Sequence, residues 1–491
     1  MNPSEDILVS KLQREGLDVR SDPELLKTYT KTQAFVQGFL PHCVVFARSR
    51  EDVVRTIMIA NEMKVPVVPR SSPLSVYGEG IPREGGAIVL DLSRMVNLEV
   101  NEDDWIAVIE PGVTYERLLS EAKERGLRCM VPLGAHRLKS VLTSYLEGDP
   151  SLSATSFEFG NDLITNLEVV LPTGEIIKTG SWSLEGGRPG GQWGPVQKDV
   201  FRLWMGAQGT LGIVTRMAIK LWWLPKVRKV FFMGFDSVEE ALEAMRRTQR
   251  MELGMECFLL NDFNMAALLT KEWTPPEDLP CERIPSASFH SLKKKIPEWV
   301  LVIISEGWPY FPEDKVGQEE SDLLDLCRGL HVEILTELRG VRGAAGEVGM
   351  LVEKPWLALK KARYKGSFHT LRFYTSASKV RTFEDLIKDM AHAYDYPLTD
   401  IGGYVLSIER GRSVYCEFDL HCDLSNEEEK ARVRELWLRL NEALASEGAY
   451  LAKLYGPLAD ILLSKVGMYA TKLKDLKKEL DPNNVLNPGV F

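Results

Sequence analysis

A mixed fold of the α/β or α+β class is what these 491 residues predict. Two observations carry that prediction. Across residues 1–225, short runs of β-type residues alternate with helix-type runs. From residue 230 onward the runs lengthen, and amphipathic helix patterns separate them.

In chain order, residues 1–40 read as helices feeding a domain. Residues 43–46 (CVVF) form a short apolar strand and 51–63 a helix. A strand at 65–69 runs into a turn-rich stretch, 70–80. Strands follow at 87–91, 98–100 and 107–110, then a helix at 115–126. Residues 181–196, SWSLEGGRPGGQWGPV, hold five glycines and two prolines and are a loop. Residues 211–219 are a strand, and WLPKV at 223–227 marks a boundary. Beyond it, strands are expected at 230–235, 299–305 and 332–337, with a helix at 238–250. Residues 405–409 and 413–421 are two strands around a turn at Arg410, Gly411 and Arg412. After Asn426, Val433, Leu436, Trp437, Leu440 and Leu444 share one helix face. A last helix, 458–480, stops before Pro482 and Pro488.

At about 150 residues per domain the length predicts two or three domains. Hydrophobic residues at 44% and charged residues at 26% are ordinary globular proportions. Sixty Lys and Arg against 70 Asp and Glu leave a net charge of −10, which argues against sequence-independent nucleic-acid binding. The first residues carry Glu5, Asp6, Lys11, Arg14 and Glu15, unlike a secretory leader. No uninterrupted apolar run approaches the ~18 residues of a membrane span. Seven cysteines, an odd number with no CxxC pair, argue against a structural zinc site, an iron–sulfur cluster or a disulfide scaffold. A cytoplasmic protein with reduced thiols and no predicted metal site is the expectation.

Three segments carry a resemblance. They are VVPRSSPLSVYGEGIPREGGAIVLDLSRM…VIEPGVTYERLL (67–119), FGNDLITNLEVVLPTGEIIKTG…GAQGTLGIVT (159–215) and ELDPNNVLNPGVF (479–491). In order and spacing the chain is similar to the flavoproteins of the vanillyl-alcohol oxidase / para-cresol methylhydroxylase superfamily. The resemblance implies an α+β flavoprotein with non-covalent FAD. Residues 1–225 would form the FAD-binding domain, and 452–491 would return to it. Residues 226–451 would form a substrate or cap domain with a mainly antiparallel sheet, the active site lying between the two.

The resemblance also assigns candidate cofactor contacts. The turn after Pro69 and Arg70 would wrap the pyrophosphate with backbone N–H groups. Where the family has consecutive glycines, this chain has Ser71, Ser72, Pro73, Leu74 and Ser75. The serine hydroxyls are expected to donate to phosphate, while Pro73 removes a donor. In the second loop Gly134 and Ser140 match, but Thr143 and Ser144 replace a Gly-Asn pair, and Arg137 and Lys139 add positive charge. Gly209, Gly212 and Ile213 in GAQGTLGIVT, and Asn487 at the carboxyl end, complete the set.

For the chemistry, two branches offer different residues. In the phenol-oxidising branch, two tyrosine positions fall on Tyr77 and Tyr450, while the arginine position falls on Leu451 with Lys453 as the nearest cation. No counterpart of that branch's catalytic aspartate exists near residues 132–133. The hydroxy-acid branch carries a metal-binding His-x-His, absent here. Its nearest equivalent is SVYCEFDLHCD (413–423), where Tyr415, Glu417, Asp419 and His421 share one strand face. That face lines a substrate cavity, binds a divalent ion through its carboxylates and imidazole, or is simply solvated. His421 is the candidate general base, Glu417 a substrate contact, and Arg410 and Arg412 candidate carboxylate clamps. A covalent attachment position falls on Leu371, two residues from His369, hence the expectation of non-covalent FAD.

Three functions stay open. One is an FAD-dependent dehydrogenase acting on a small alcohol or 2-hydroxy acid and passing electrons to a protein partner. A second is a flavin-poor, non-catalytic subunit of a larger complex, suggested by the altered glycine loops. The third is a phenolic-alcohol or alkylphenol oxidase. Homo- or hetero-oligomerisation is compatible with each.

Overall fold

Parallel pairing is confined to the amino-terminal sheet of this computed structural model, which describes residues 3–153, 160–184 and 200–490. Most of the glycine-rich loop at 181–196, from residue 185 on, and Phe159 lie outside the described residues. Strand β1 (Asp18–Arg20) runs antiparallel to β2 (Cys43–Phe46), and β2 and β3 (Val67–Arg70) flank β4 (Ile88–Asp91) in parallel. A parallel pair needs a crossover, and the helix Arg50–Met63 supplies it. That helix begins at a reciprocal cap between Ser49 and Asp52 and ends at Lys64 in the left-handed region, φ 54°. Both faces of the sheet are covered, so its central strands are continuous apolar runs.

The second sheet takes β5 (Leu98–Asn101), β6 (Ile106–Ile109) and, after the short ribbon strand β7 (Leu127–Arg128), β8 (Ile164–Val170), β9 (Ile176–Lys178) and β10 (Ile213–Lys220). It is antiparallel, in the order β5-β6-β10-β8-β9. Strand β11 (Trp222–Trp223) pairs with β7.

Seven antiparallel strands then build the cap: β12 (Val227–Phe235), β13 (Glu256–Asn261), β14 (Trp299–Gly307), β15 (Ser367–Thr375), β16 (Ile401–Ile408), β17 (Ser413–Cys422) and β18 (Tyr450–Leu451). Their order is β12-β14-β13-β16-β17-β15-β18. Alternate residues serve two cores. Phe231, Met233, Leu259 and Phe418 pack under the helices Val238–Arg250, Val380–Ala393 and Glu427–Ser446. Val230, Phe232, Phe258 and Tyr415 belong to the core shared with the amino-terminal half, where Leu127 and Leu167 also lie. The cap sheet is therefore buried on both sides.

The carboxyl end closes on the first sheet. The Val67 N–H donates to Val485 O at 2.8 Å, and Lys477 Nζ donates to Thr210 O and Leu486 O at 2.8 and 2.7 Å.

Two expected elements differ. Residues 332–337 form no strand: Leu335 makes an isolated bridge with Phe232, so β12 remains the sheet edge there. The helix expected at 458–480 is two, Pro457–Leu463 and Met468–Leu480. Gly467, at φ 44°, takes a conformation a continuing helix does not allow.

A buried ionic knot joins the ribbon to the cap sheet. Arg128, 4% exposed, donates Nη2 to Glu256 at 2.6 Å and to Ser153 Oγ at 3.2 Å, and Nη1 to Glu306. Arg228 adds a second donor to Glu306 at 3.1 Å. Replacing one partner of such a cluster strands buried charge at a cost of about 3–5 kcal/mol. Arg128→Met is therefore expected to lower the urea midpoint by that equivalent, with Arg128→Lys recovering only part, since one ammonium cannot span both carboxylates.

Candidate active site

Between the two halves lies a cavity of about 1760 Å³, the open solvent at its mouth included. Its wall draws on both halves, from Pro69 and Gly209 on one side to Arg372 and Tyr404 on the other. Its floor is made of loops that follow strands of the amino-terminal half, and its roof is the inner face of the cap sheet.

The turn after β3 supplies the first loop. Pro69, Arg70, Ser71, Ser72 and Leu74 all line the cavity. Arg70 donates Nε to Ser72 O at 3.0 Å and Nη2 to Pro73 O, which holds the turn from inside. Its Nη1 is buried with no partner among the described residues. The backbone N–H groups of Ser71, Ser72, Leu74 and Ser75 likewise meet no protein acceptor among the described residues. Of these, Ser71, Ser72 and Leu74 line the cavity, and with the guanidinium nitrogen they offer the donors that a pyrophosphate requires. FAD therefore fits the donor set although the glycines are gone.

The serines themselves do something other than expected. Ser71 Oγ lies 2.6 Å from Thr143 Oγ1, and Ser72 Oγ accepts from the Ser140 N–H at 2.8 Å. They fasten the first loop to the second. Ser140 caps the helix Val141–Leu146 by accepting from the Thr143 N–H, and Ser144 accepts from Tyr115 at 2.9 Å and donates to Asp149 at 2.6 Å. Ser140 and Ser144 are fully buried beneath the loop and do not line the cavity, whereas Thr143 does. Ser75, also off the wall, faces Glu79 at 3.5 Å.

Gly134, Gly209, Gly212, Ile213 and Asn487 all reach the wall. Gly209 has φ 73°, and a Cβ there would sit 2.4 Å from Pro69 Cγ. Its bare backbone lets the 206–212 loop close on β3. Gly134, at φ 72°, has only Leu359 within reach of a Cβ, at 3.7 Å. Asn487 pins the carboxyl end by donating Nδ2 to Gln208 O at 2.7 Å.

Charge is concentrated beside these loops. Lys139 Nζ meets Glu147 at 3.2 Å and Asp149 at 2.7 Å. Lys453 meets Glu147 at 3.1 Å and also Asp149. Burial alone would raise Glu147 and Asp149, but the two lysines hold both carboxyls below their ordinary values. Glu79 accepts from the Val76 and Tyr77 N–H groups at 3.1 and 2.6 Å, yet burial and the charge of Glu147 push its pKa up.

On the roof, Tyr404, Tyr415, Glu417, Arg372 and Lys361 line the cavity. Arg372 donates Nε to Glu417 at 2.9 Å, and Tyr415 donates to the same carboxylate at 2.6 Å. The Arg372 guanidinium lies 4.2 Å from the Tyr77 ring centroid, and Tyr77 stacks on Tyr455 at 6.5 Å. Lys361 donates to Asp419 at 2.6 Å.

Several expected site residues sit elsewhere. Tyr450 is 52% exposed on the edge strand β18, and Tyr455 is the tyrosine that reaches Tyr77. Lys453 is neutralised by two carboxylates and lines a smaller neighbouring cavity. Arg410 pairs with Glu252 at 2.9 Å on the surface, and Arg412 is exposed, so neither approaches the cavity. The shared face of β17 is not solvated: Tyr415 and Glu417 meet the cavity, while Asp419 and His421 continue into the cap interior. Arg372, Lys361 and Tyr455 were missed. Arg372 belongs to a strand whose neighbours on both sides are apolar or aromatic, and only the pairing Arg372↔Glu417 across β15 and β17 reveals it.

His421 is a buried structural group rather than a base at the cavity. Its Nδ1 lies 2.9 Å from Asp400 O, its ring packs 4.3 Å from that of Phe263, and burial lowers it to about 4. The unfolded chain takes up this proton near ~6.5, whereas the folded chain resists until about 4. Stability is present above the higher value and lost as pH falls toward the lower one, by about 3 kcal/mol. Urea titrations at stepped pH should show that acid limb in the parent protein and a shallower one in His421→Asn.

Comparison with known proteins accords with this geometry. Residues 41–180 match the FAD binding domain family. Glycolate oxidase subunit GlcD of Bacillus subtilis (strain 168) is 25% identical over 492 residues, covering 97% of this chain and 93% of that protein. The mitochondrial D-lactate dehydrogenase (cytochrome) of Arabidopsis thaliana is 29% identical over 205 residues, 42% of this chain and 34% of that protein. In fold, the structure of p-cresol methylhydroxylase with substrate bound superimposes with a TM-score of 0.82 at 20% identity, covering 100% of this chain and 97% of that one. Residues 41–180 thus match an FAD binding domain, and the whole chain, with its carboxyl end folded back on the first sheet and its antiparallel third sheet, has the fold of p-cresol methylhydroxylase.

Proposed function

We propose that this protein is an FAD-dependent dehydrogenase that oxidises the hydroxyl-bearing carbon of a hydroxy acid. Arg372 carries the reading. It is a buried guanidinium on the cavity wall, its Nε is given to Glu417, and its two terminal nitrogens make no hydrogen bond among the described residues. A planar fork with both outer nitrogens free matches a carboxylate. The Tyr77 face and the Glu417 carboxylate fix its orientation. A glycolate oxidase subunit that aligns with nearly the whole chain supports the same substrate class.

Bound FAD supplies the two-electron acceptor for the hydride that leaves the substrate carbon. Arg372 holds the carboxylate so that this carbon has one orientation. The departing hydroxyl proton goes to Glu417, the carboxylate already joined to Tyr415 and Arg372 at 2.6 and 2.9 Å. Arg70 Nη1 and the N–H groups of Ser71, Ser72 and Leu74 would hold the cofactor without a covalent bond. His369 stacks on Phe35 and does not line the cavity, which supports non-covalent attachment. Electrons leave to a separate acceptor protein. Seven unpaired cysteines support the expectation of a reducing, cytoplasmic setting.

Phenol oxidation is the second reading, favoured by the stacked Tyr77 and Tyr455 and by the Tyr404 hydroxyl at the cavity, which has no partner among the described residues. It is the weaker one, because Tyr450 is outside and Lys453 is neutralised.

The purified protein is expected to show flavin absorption that moves to the supernatant on acid precipitation. Anaerobic glycolate, D-lactate or a longer 2-hydroxy acid should bleach it. Arg372→Leu should raise KM about 10–100-fold, the loss of a charge-assisted contact. Bleaching by para-alkylphenols and by no hydroxy acid would transfer the assignment to the second reading.

A further inference from the structure

Three residues on the inner face of the cap sheet stand in one row across neighbouring strands. Tyr404 of β16 pairs directly with Glu417 of β17, and Glu417 pairs directly with Arg372 of β15. Residues opposite each other share a face, with Cβ atoms about 4.5–5.5 Å apart. All three line the large cavity.

In the proposed reaction Arg372 takes the carboxylate and Glu417 the proton, which leaves Tyr404 without a part. Its side chain is 2% exposed, and its Oη has no hydrogen-bond partner among the described residues. A buried tyrosine hydroxyl usually finds a partner, so this one calls for an explanation. The ring has a fixed place, since Phe258 and Tyr415 meet it edge-on at 6.1 and 6.2 Å. Burial and the charge of Glu417 hold the phenol well above its ordinary pKa, so it is a neutral O–H donor. Glu417 is half used as well. Tyr415 and Arg372 both bond its Oε1, and its Oε2 receives no hydrogen bond among the described residues. Among the polar roof side chains Lys361, Arg372, Tyr404, Tyr415 and Glu417, only Tyr404 makes none, because Lys361 is tied to Asp419 at 2.6 Å.

A hydroxyl that is to lose its proton needs an acceptor for the proton and a donor that fixes the oxygen. Glu417 is an acceptor only, and the substrate carboxylate occupies Arg372. We propose that Tyr404 is a further catalytic residue, whose O–H donates to the oxygen of the substrate's reacting hydroxyl and so directs that hydroxyl's proton toward Glu417 Oε2. The assignment rests on the hydroxy-acid reading. The hydride leaves the carbon for the flavin, the hydroxyl proton goes to Glu417, the C–O bond becomes C=O, and Tyr404 keeps its own proton. The same O–H then holds the oxo oxygen of the product.

Tyr404→Phe removes the donor and keeps the ring. With FAD-loaded enzyme, D-lactate or glycolate and an artificial electron acceptor, the variant is expected to lose about tenfold in kcat/KM, one neutral hydrogen bond. Calorimetry supplies a readout independent of turnover. Pyruvate and glyoxylate carry the oxygen that Tyr404 would hold, whereas propanoate and acetate lack it. The variant should bind the two oxo acids about tenfold more weakly and the two plain acids within twofold of the parent. Equal weakening of both kinds of acid would make Tyr404 a structural residue and overturn the proposal. Hydroxy-acid turnover with unchanged kcat/KM and unchanged oxo-acid affinity would also overturn it and leave the hydroxy-acid reading standing. Selective loss of oxo-acid affinity in a protein that turns over neither hydroxy acid would overturn that reading, and with it the catalytic part of Tyr404, while upholding its contact with an oxygen beside the carboxylate.

Discussion

Two buried lysines shared between two buried carboxylates set the geometry on which the cavity depends. Lys139 comes from the second loop, Glu147 and Asp149 from just beyond the helix Val141–Leu146, and Lys453 from the returning carboxyl segment. Lys453 is buried and Lys139 is only 18% exposed, so each is stabilised by an opposite charge at contact distance. Asp149 also takes the Ser144 hydroxyl, and Glu147 takes the Tyr455 hydroxyl. The ring at Tyr455 in turn stacks on Tyr77. Loop, helix, carboxyl segment and aromatic wall are thus fixed by one electrostatic requirement. Glu79 is the third carboxylate against two lysines. Burial and the charge of Glu147 push its pKa up.

The same economy explains the loss of glycines. A glycine-rich turn satisfies an anion with backbone amides alone and leaves neighbouring loops to pack on it. Here Ser71 and Ser72 spend their side chains on Thr143 and Ser140. The turn is clamped by a hydroxyl pair and by the Arg70 bonds to Ser72 O and Pro73 O. Free amides remain because the clamp uses side chains and carbonyls, not N–H groups. Gly209 is different in kind: Pro69 occupies the place its Cβ would take.

How much of this was legible in the sequence follows from which forces act locally. The strand runs of the first sheet, the capped helix after Ser49 and the amphipathic helix after Asn426 were readable, because apolar periodicity and capping chemistry are local. The candidate cofactor loops were readable only through the resemblance of their segments to a family pattern. Site polarity was not. SVYCEFDLHCD alternates as a solvated strand does, yet β16, β15 and the helices bury it, so His421 loses its proton affinity instead of working as a base. Tyr450 and Tyr455 are five residues apart and only the turn after β18 decides which faces inward. Arg372 acquires meaning only through cross-strand register with Glu417.

That register also decides what the cap can select. Along β15, His369 belongs to the small chamber's wall, whereas Arg372 belongs to both walls. Along β17, Glu417 faces Arg372 directly, so the guanidinium cannot swing toward either space without breaking its Nε bond. Tyr77 lies against the other side of the same guanidinium, and Tyr455 backs Tyr77. The wall between the chambers is therefore a stack of three flat groups, anchored at one end by a carboxylate. Its cation, Arg372, is held at its Nε by Glu417 and across its face by Tyr77.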